Sequence, residues 1–410
     1  MIIRKSPLYL FSPLIYLLLL TRASLDPILR LTEFGGISVG ALLNLSIVVL
    51  FFGGLIQSRG TISSSVFKLW SGFIVVGLFS IVFSPTPIAS FRAFVSVLTY
   101  FSIFSFAYSF VRSREDVESI MKLIIYSSFI PFSVSAIQFV SPELSTTRDG
   151  FRLHGSFMHP NIYAFYLVLV SAVCFYCIKS EKVFFSKRFI RLCYLLIPLS
   201  AVCLIATQTR SAWIAFFTVF FVYGLLYERK YLLVMCVLAV LALFLPFVQD
   251  RLADLASDSQ ITEDGGEALN SYAWRQVVWV SSWEFIQNKL FFGHGYNTFS
   301  YYFLDFFPLE GEQQFDAHNA YVQIAFDMGF LGLLSFLILL IGIWLKYLKQ
   351  FSLDPRGNSV YVAIVTSFML VCYSDNMLFY LSYCWYFWLL IGCGCAFLQL
   401  LEKEKHAKRV

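Results

Sequence analysis

Long apolar runs are the feature that most constrains this chain. Twelve of them follow one another along its 410 residues, and most are separated by short polar loops. A helix needs about 20 apolar residues to cross the hydrocarbon core of a bilayer. We therefore predict about twelve transmembrane helices, at residues 8–22, 35–56, 66–83, 88–111, 120–140, 161–178, 189–206, 211–227, 231–248, 320–345, 359–378 and 380–400.

The composition excludes a soluble protein. Hydrophobic residues make up 59% of the chain and charged residues only 13%, and a soluble chain of this size cannot cover so much apolar surface. The predicted fold class is an all-α integral membrane protein. Because Arg4 and Lys5 precede a short apolar stretch, the first run also fits a signal peptide. It lacks a clear cleavage site, so we interpret it as a helix.

The distribution of positive charge predicts the orientation. When the loops are numbered alternately from the N-terminus, one set carries 21 of the 30 Lys and Arg residues. Cytoplasmic loops carry the excess of these residues, so both termini are predicted to be cytoplasmic. The set that faces outward carries Arg22, Arg30, Arg92, Arg148, Arg152, Arg210, Arg251, Arg275 and Lys289.

One long outward loop divides the chain into three predicted regions. Residues 1–248 hold nine transmembrane helices, residues 249–319 form a periplasmic loop, and residues 320–410 hold three more helices and a cytoplasmic tail. The loop begins with the acidic segment Asp250–Glu267, which we interpret as solvated and flexible. The other loops are all much shorter.

The second half of the long loop has helical periodicity from Ser271 to about Leu290. Its apolar side chains include Trp279, Trp283 and Ile286, which recur with Leu290 at helical spacing. A helix with such a stripe can lie on a membrane surface. We therefore predict short interfacial helices within the periplasmic loop.

Thiol and metal chemistry have little support in the sequence. All nine cysteines fall in or at the ends of apolar runs, which predicts packing roles. His154 and His159 are five residues apart and would not share a helical face, so a metal site is the weaker interpretation. No cofactor and no nucleic-acid partner is expected, because no nucleotide-binding motif occurs in the loops.

Arg210 lies in a very short outward turn between two strongly apolar helices. An arginine in this position must find an anionic partner. If the role of Arg210 is only structural, that partner is a lipid phosphate or a carboxylate of the protein. If the role is functional, the partner is a phosphate of a ligand, because guanidinium donates two parallel hydrogen bonds to phosphate oxygens. Arg92 lies one turn inside the fourth predicted span, where it either snorkels to the surface or joins such a site.

The outward segment 148–161 is too polar for a simple connector. It holds Arg152, His154 and His159, and it ends in Pro160-Asn161, where the next helix is predicted to begin. The N-terminus of a helix can also receive an anion. This segment is therefore a second candidate for ligand binding.

His318 lies at the start of the tenth predicted span, between Asp316 and Asn319. An ordinary histidine has a pKa near 6.5 and can accept a proton near neutrality. A lone histidine is more often a satisfied polar residue without a catalytic role. The outward arginines favour catalysis here, because they point to an anionic substrate on the same side.

Three ordered stretches make the chain resemble the O-antigen ligase and polymerase superfamily of bacterial envelope glycosyltransferases. The order of these stretches, the number of spans and the position of the long loop all agree with that superfamily. The stretches are Gly155–Asn161, Thr209–Ser211, and His318–Asn319 with Gly329–Gly332, the last after a loop that ends in Gly293–Tyr296.

The resemblance implies a donor in which a glycan is linked to undecaprenyl diphosphate. Transfer would occur at the periplasmic face of the bacterial inner membrane, onto lipid A-core, another glycan or a protein. The resemblance implies that Arg210 and Arg275 hold the diphosphate and that His318 acts on the acceptor. Arg152 and Arg92 are further candidates for diphosphate binding. Candidates for supporting roles are Asn319, His159, Asn161 and His154.

The chemistry of such a donor fits these residues. Its leaving group is a diphosphate, whose developing charge arginines would stabilise without a metal ion. His318 would take the proton of the acceptor hydroxyl, and a direct displacement would invert the anomeric centre.

Two other classes of protein remain open at this point. One is a transporter or flippase of the same lipid-linked glycan, and the other is a non-catalytic scaffold of envelope assembly. Within the enzyme class, the motifs do not separate a ligase from a polymerase.

Overall fold

The structure is a computed structural model, which describes residues 8–34, 37–58, 62–147, 150–244, 248–249, 271–307 and 313–408. Arg4, Lys5, Arg148 and the acidic segment Asp250–Glu267 lie outside the described residues, and so do the predictions made for them.

Helices make up most of the described chain. They are α1 (Leu8–Arg22), α2 (Asp26–Leu31), α3 (Val39–Ser58), α4 (Ser64–Ser80), α5 (Pro87–Phe110), α6 (Arg114–Tyr126), α7 (Phe129–Val140), α8 (Pro160–Lys179), α9 (Lys187–Ala206), α10 (Arg210–Leu226), α11 (Arg229–Ala242), α12 (Ser271–Ser281), α13 (Trp283–Asn288), α14 (Phe299–Phe306), α15 (Ala320–Lys349), α16 (Pro355–Val371) and α17 (Leu381–Ala407).

Short elements complete the described secondary structure. Two antiparallel hairpins depart from the all-α expectation, although each of their strands has only two residues. They pair β1 (Glu33–Phe34) with β2 (Ile37–Ser38) and β3 (Thr146–Thr147) with β4 (Gly150–Phe151). The 3₁₀ helices are Ile81–Phe83, Pro142–Ser145, Phe351–Leu353 and Met377–Phe379.

A helix lies at each of the twelve predicted spans. The fifth span consists of two helices, α6 and α7, joined by a turn at Ser127 and Ser128. Within the described ranges, eight candidate spans are long and apolar enough to cross a membrane. The helices α1, α10, α11 and α16 are shorter, at 15, 17, 14 and 17 residues. The membrane fold class is therefore confirmed, and the count of twelve stays a prediction.

The centre of the bundle is formed by α5, α8 and α17. The most apolar stretches of α8 and α17 are each 89% buried, whereas those of α3 and α4 are only 28% buried. A helix that is apolar all round is buried in the protein or in the membrane. The outer helices α3 and α4 therefore turn much of their apolar surface toward lipid, and α8 and α17 form the core.

The alternating loops meet at two ends of the bundle. At one end, which we call the opposite end, Arg114 pairs with Glu404 and Lys179 pairs with Glu228, each at 2.7 Å. At the other end, which we call the His318 end, the loops predicted to face outward contact one another. One such contact is the hydrogen bond from Leu153 N–H to the oxygen of Ala206.

The second half of the long loop folds around its own small core. That core contains Val278, Ile286, Phe299 and Phe303, and it also takes in Phe326 from the first part of α15. The helical periodicity from Ser271 to about Leu290 is interrupted at Ser282, so this segment forms two short helices, α12 and α13. Of the predicted stripe, Ile286 is buried and Trp279 is half-buried, because both turn toward the loop core. Trp283 and Leu290 are exposed.

Helix α15 is broken at Gly329, where φ is +67° and ψ is −169°. The segment 290–295 crosses the break and replaces the missing hydrogen bonds. His294 N–H donates to the oxygen of Phe326, and Phe330 N–H donates to the oxygen of Leu290. A Cβ at Gly329 would collide with the backbone of Phe291. The two glycine motifs of the sequence therefore pack against each other.

Candidate active site

A buried carboxylate, Asp375, joins stretches that lie far apart in the sequence. Its Oδ1 accepts hydrogen bonds from the Tyr380 hydroxyl at 2.7 Å and from Asn161 Nδ2 at 3.4 Å. Its Oδ2 accepts a hydrogen bond from the Ser211 hydroxyl at 3.0 Å. The starts of α8 and α10 are thus tied to the turn that follows α16.

Asn161 connects this cluster to Arg152. Its Oδ1 accepts hydrogen bonds from Arg152 Nη2 and from the Thr209 hydroxyl, both at 3.1 Å. Arg152 Nε donates to the oxygen of Thr207 at 3.2 Å. These bonds fix both sides of the short turn that precedes Arg210. Arg210 is half-buried and is the first residue of α10, directly before the Ser211 that contacts Asp375.

Arg275 approaches the same carboxylate from the long loop. It lies on α12, and its Nη1 donates to the main-chain oxygen of Ser374 at 2.8 Å. Burial raises the pKa of Asp375, and the nearby positive charge of Arg275 opposes that rise. The structure therefore brings Arg275 beside the residues that hold the start of α10.

His318 lies close enough to Arg275 for the positive charge of Arg275 to affect its pKa. Its ring centroid is 6.0 Å from that of Trp274, and the side chain is half-buried. Burial, helped by the charges of Arg275 and His159, lowers the pKa of His318 to about 4. The ring is therefore neutral at pH 7 and has a nitrogen lone pair that can accept a proton. Burial also raises the pKa of the nearby Asp316 to about 6.

Two of the supporting residues are helix caps. Asn319 is buried, and its Oδ1 accepts hydrogen bonds from the N–H groups of Tyr321 and Val322 at the start of α15. His159 is exposed, and its Nδ1 accepts a hydrogen bond from Asn161 N–H at 3.1 Å. Both side chains satisfy N–H groups that a helix start leaves open, and so they fix the backbone beside His318 and Asn161.

His154 and Arg92 lie apart from the Asp375 cluster. The ring of His154 contacts Gln138 at 3.2 Å and the oxygen of Phe157 at 2.9 Å, so it braces its own loop. Arg92 is exposed on α5, and among the described residues no hydrogen bond or ion pair joins it to the cluster. The structure brings Arg152, Arg275, Asn161 and His318 together and leaves these two outside.

Sequence analysis did not identify Asp375 or Tyr380. The single span predicted at residues 359–378 places Asp375 inside a helix. In the structure α16 ends at Val371, and a turn and a 3₁₀ helix follow. The run Ser374-Asp375-Asn376 between two apolar stretches is the signal that reveals this turn, because three adjacent polar residues are costly inside a bilayer.

The arrangement is suited to binding an anion. Arg275 is held by a neutral carbonyl, which orients the guanidinium without cancelling its charge. The neighbouring carboxylate, Asp375, is already occupied by hydroxyl and amide donors. In the part of the chain that the structure describes, no three His, Cys, Asp or Glu side chains are grouped as metal ligands.

Comparison with known proteins agrees with the motifs. A family model described as O-Antigen ligase matches residues 195–337, which include Arg210, Arg275 and His318. No curated protein matches the sequence. The matched residues run from α9, through the long loop, and past the break in α15, whereas Arg152, Asn161 and Asp375 lie outside them. Residues 195–337 therefore match an O-antigen ligase domain, in agreement with the superfamily that the ordered motifs resemble.

Proposed function

We propose that this chain transfers a glycan from undecaprenyl diphosphate to an acceptor at the periplasmic face of the bacterial inner membrane. One observation carries the proposal. The cluster around Asp375 joins the starts of α8 and α10 to Arg275, which in turn lies near His318. These are the stretches in which the superfamily motifs lie, and the O-antigen ligase match supports glycan transfer as the reaction class.

In this proposal Arg210 and Arg275 bind the diphosphate of the donor. As the bond between the anomeric carbon and the diphosphate oxygen breaks, negative charge grows on the leaving group. Guanidinium groups in a site sheltered from water stabilise that charge more strongly than they would in water. They take the role that a divalent cation has in many soluble glycosyltransferases. Arg152 donates hydrogen bonds to Asn161 and to the oxygen of Thr207, and so it fixes the turn that precedes Arg210.

His318 is the proposed general base. The acceptor hydroxyl attacks the anomeric carbon, its proton passes to the neutral ring, and undecaprenyl diphosphate leaves from the opposite face. A single displacement of this kind inverts the anomeric centre. A positioned base typically contributes about 10²–10⁴-fold to the rate, so the loss of His318 should stop transfer for practical purposes.

The test is the lipid-linked glycan profile of cells that carry His318→Ala, with the amount of protein in the membrane measured. His406→Ala is the matched control, because His406 is exposed in the charged C-terminal part of α17. We expect transfer to stop only in His318→Ala. Long chains that remain on the lipid would identify a ligase, and single repeats would identify a polymerase. A wild-type profile in His318→Ala would refute the base.

One observation favours the alternative of a lipid-linked glycan flippase. Broken helices that carry charged residues are typical of transporters, and α15 is broken at Gly329, next to the buried Asp327. In this structure the segment 290–295 fills the break, and Asp327 accepts hydrogen bonds from the protein itself. A flippase would still move lipid-linked glycan across the membrane after His318→Ala, whereas the proposed transferase would accumulate untransferred glycan on the outer side.

A further inference from the structure

The backbone of His318 has an unusual conformation that its neighbours hold in place. Its φ is +47°, in the left-handed region that residues other than glycine rarely adopt. Ala317 N–H donates to Gln323 Oε1 at 3.1 Å, and Asn319 N–H donates to Asn376 Oδ1 at 2.9 Å. The residues on both sides of His318 are therefore fixed by side-chain amides.

These two amides belong to one chain of hydrogen bonds. Asn376 Nδ2 donates to Gln323 Oε1 at 3.0 Å, and Gln323 Nε2 donates to Asp327 Oδ2 at 3.0 Å. All three side chains are buried, and Asp327 is only 1% exposed. We call Asp327, Gln323 and Asn376 the polar chain, which runs from the first part of α15 to the backbone on both sides of His318.

The carboxylate of Asp327 also anchors the loop core. It accepts hydrogen bonds from the N–H groups of Asn297, Thr298 and Phe299, at 2.8, 3.0 and 3.1 Å. These residues lie at the start of α14, directly after the glycine motif that crosses the break in α15. Both oxygens of Asp327 therefore act as acceptors, with four donors in total.

This arrangement gives the polar chain a fixed direction. Both oxygens of Asp327 already accept backbone N–H donors, and Ala317 N–H needs an acceptor. Gln323 therefore points its NH₂ group toward Asp327 and its oxygen toward Ala317. Asn376 donates to that same oxygen, so its own oxygen is left to accept from Asn319. An amide that turned around anywhere in the chain would place two donors or two acceptors against each other.

We propose that Asp327 and Gln323 are positioning residues, which set the backbone of His318 through the polar chain and so aim its ring at the acceptor. The inference rests on the proposed role of His318 as the base. The hydrogen-bond pattern itself does not depend on that role. A ring displaced by about 1 Å loses on the order of 10²-fold in rate, while the donor site around Arg275 is unaffected.

The test reverses the direction of the central hydrogen bond. In Asp327→Asn an amide NH₂ faces the NH₂ of Gln323, and in Gln323→Glu two carboxylates face each other. When both changes are combined, the new amide at position 327 donates to the new carboxylate at position 323, which still accepts from Ala317 and Asn376. We expect each single change to lower kcat by about tenfold or more with the KM for the donor unchanged. The double variant should regain part of what Asp327→Asn loses. Both proteins lack the acceptor for Asn297 N–H at Oδ2, so the difference between them reports the bond to position 323.

Matched controls are Asp305→Asn and Gln57→Glu, which make the same changes at exposed positions. A wild-type kcat in both single variants would overturn the inference. A double variant with a kcat no higher than that of Asp327→Asn would also overturn it. Should these variants fail to reach the membrane, Asn376→Ala removes only the contacts that this amide makes with Asn319 and Gln323. It should also lower kcat, and an unchanged kcat would equally overturn the inference.

Amide hydrogen exchange tests the polar chain independently of catalysis. The N–H groups of Ala317 and Asn319 should exchange slowly in the wild type, faster in each single variant, and slowly again in the double variant. A His318→Ala protein with wild-type kcat would refute the base and leave this exchange pattern intact. Equal exchange in all four proteins would refute the polar chain even if His318 proved essential.

Discussion

The two ends of the bundle hold their positive charges in different ways. At the opposite end, carboxylates pair with cations directly. Glu228 contacts Lys179 at 2.7 Å and Lys230 at 2.9 Å, and Glu181 contacts Arg356. These pairs cancel charge where the chain turns between helices, so this end is built for stability.

At the His318 end, two of the arginines donate hydrogen bonds to neutral oxygens. Arg275 donates to the oxygen of Ser374, and Arg152 donates to the oxygen of Thr207 and the amide of Asn161. A direct ion pair at this end, Arg22 with Asp26 at 3.0 Å, is buried and braces the loop at Met158. A neutral acceptor fixes the direction of a guanidinium without cancelling its charge, which is what a binding site for an anion needs.

The largest effect should come from the close backbone packing of the His318 end. Gly329→Ala places a Cβ against the backbone of Phe291 at a residue with φ of +67°. We expect a loss of more than about 3 kcal/mol and little folded protein in the membrane. Gly53→Ala is the control, because nothing lies within 4 Å of a Cβ there. Thermal unfolding in detergent measures both variants, and equal midpoints would contradict the packing.

Removal of one arginine should impair catalysis and leave the fold intact. Arg275→Ala and Arg210→Ala should each lower kcat by about 10²–10³-fold, the usual cost of losing one donor to a developing anion. Arg188→Ala, exposed near the start of α9 at the opposite end, should leave transfer unchanged. The rate of transfer from a purified lipid-linked donor measures the difference. Wild-type rates in both site variants would refute the proposed diphosphate site and also the functional contrast between the two ends.

The pH dependence should report the charge that Arg275 retains. Because burial and the charges of Arg275 and His159 lower the pKa of His318 to about 4, the neutral base persists down to that pH. We expect kcat/KM to fall only as the pH drops through about 4. Arg275→Gln should shift this fall in kcat/KM to higher pH, because it removes a positive charge that lowers the pKa of His318. An acid limb near the ordinary histidine pKa of about 6.5 in the wild type would contradict this environment.

The smallest effect on activity should come from the opposite end. Burial by itself raises the pKa of Glu228, but hydrogen bonds from Lys179, Lys230 and Tyr223 lower it to about 2. The ionised carboxylate therefore adds stability above its unfolded pKa near 4.5, and this stability is lost as the pH falls toward 2. Glu228→Gln should lower stability by roughly 1–3 kcal/mol with kcat unchanged. A reduced kcat at an unchanged unfolding midpoint would contradict the division between the ends.

The positions of the spans follow from the sequence because burial in lipid leaves a direct mark on composition. A helix lies at each stretch predicted to span the membrane, since only a helix satisfies all of its own backbone groups in a bilayer. The loops also meet at the two ends as their alternation predicts. The resemblance to the superfamily follows from the order of short motifs, and the family model that matches residues 195–337 agrees with it.

The tertiary structure decided which stretches of the chain contact one another. Hydropathy extends the predicted span to residue 378, past the end of α16 at Val371, and only the polar run Ser374-Asp375-Asn376 marks the turn. That Asp375 links Asn161 with Ser211 follows from the packing of the helices. No local pattern shows that the segment 290–295 fills the break at Gly329. Hydropathy and motif spacing are properties of one stretch of chain, so they determine where each helix lies. Hydrogen bonds between distant stretches depend on how the helices pack, and these bonds build the site.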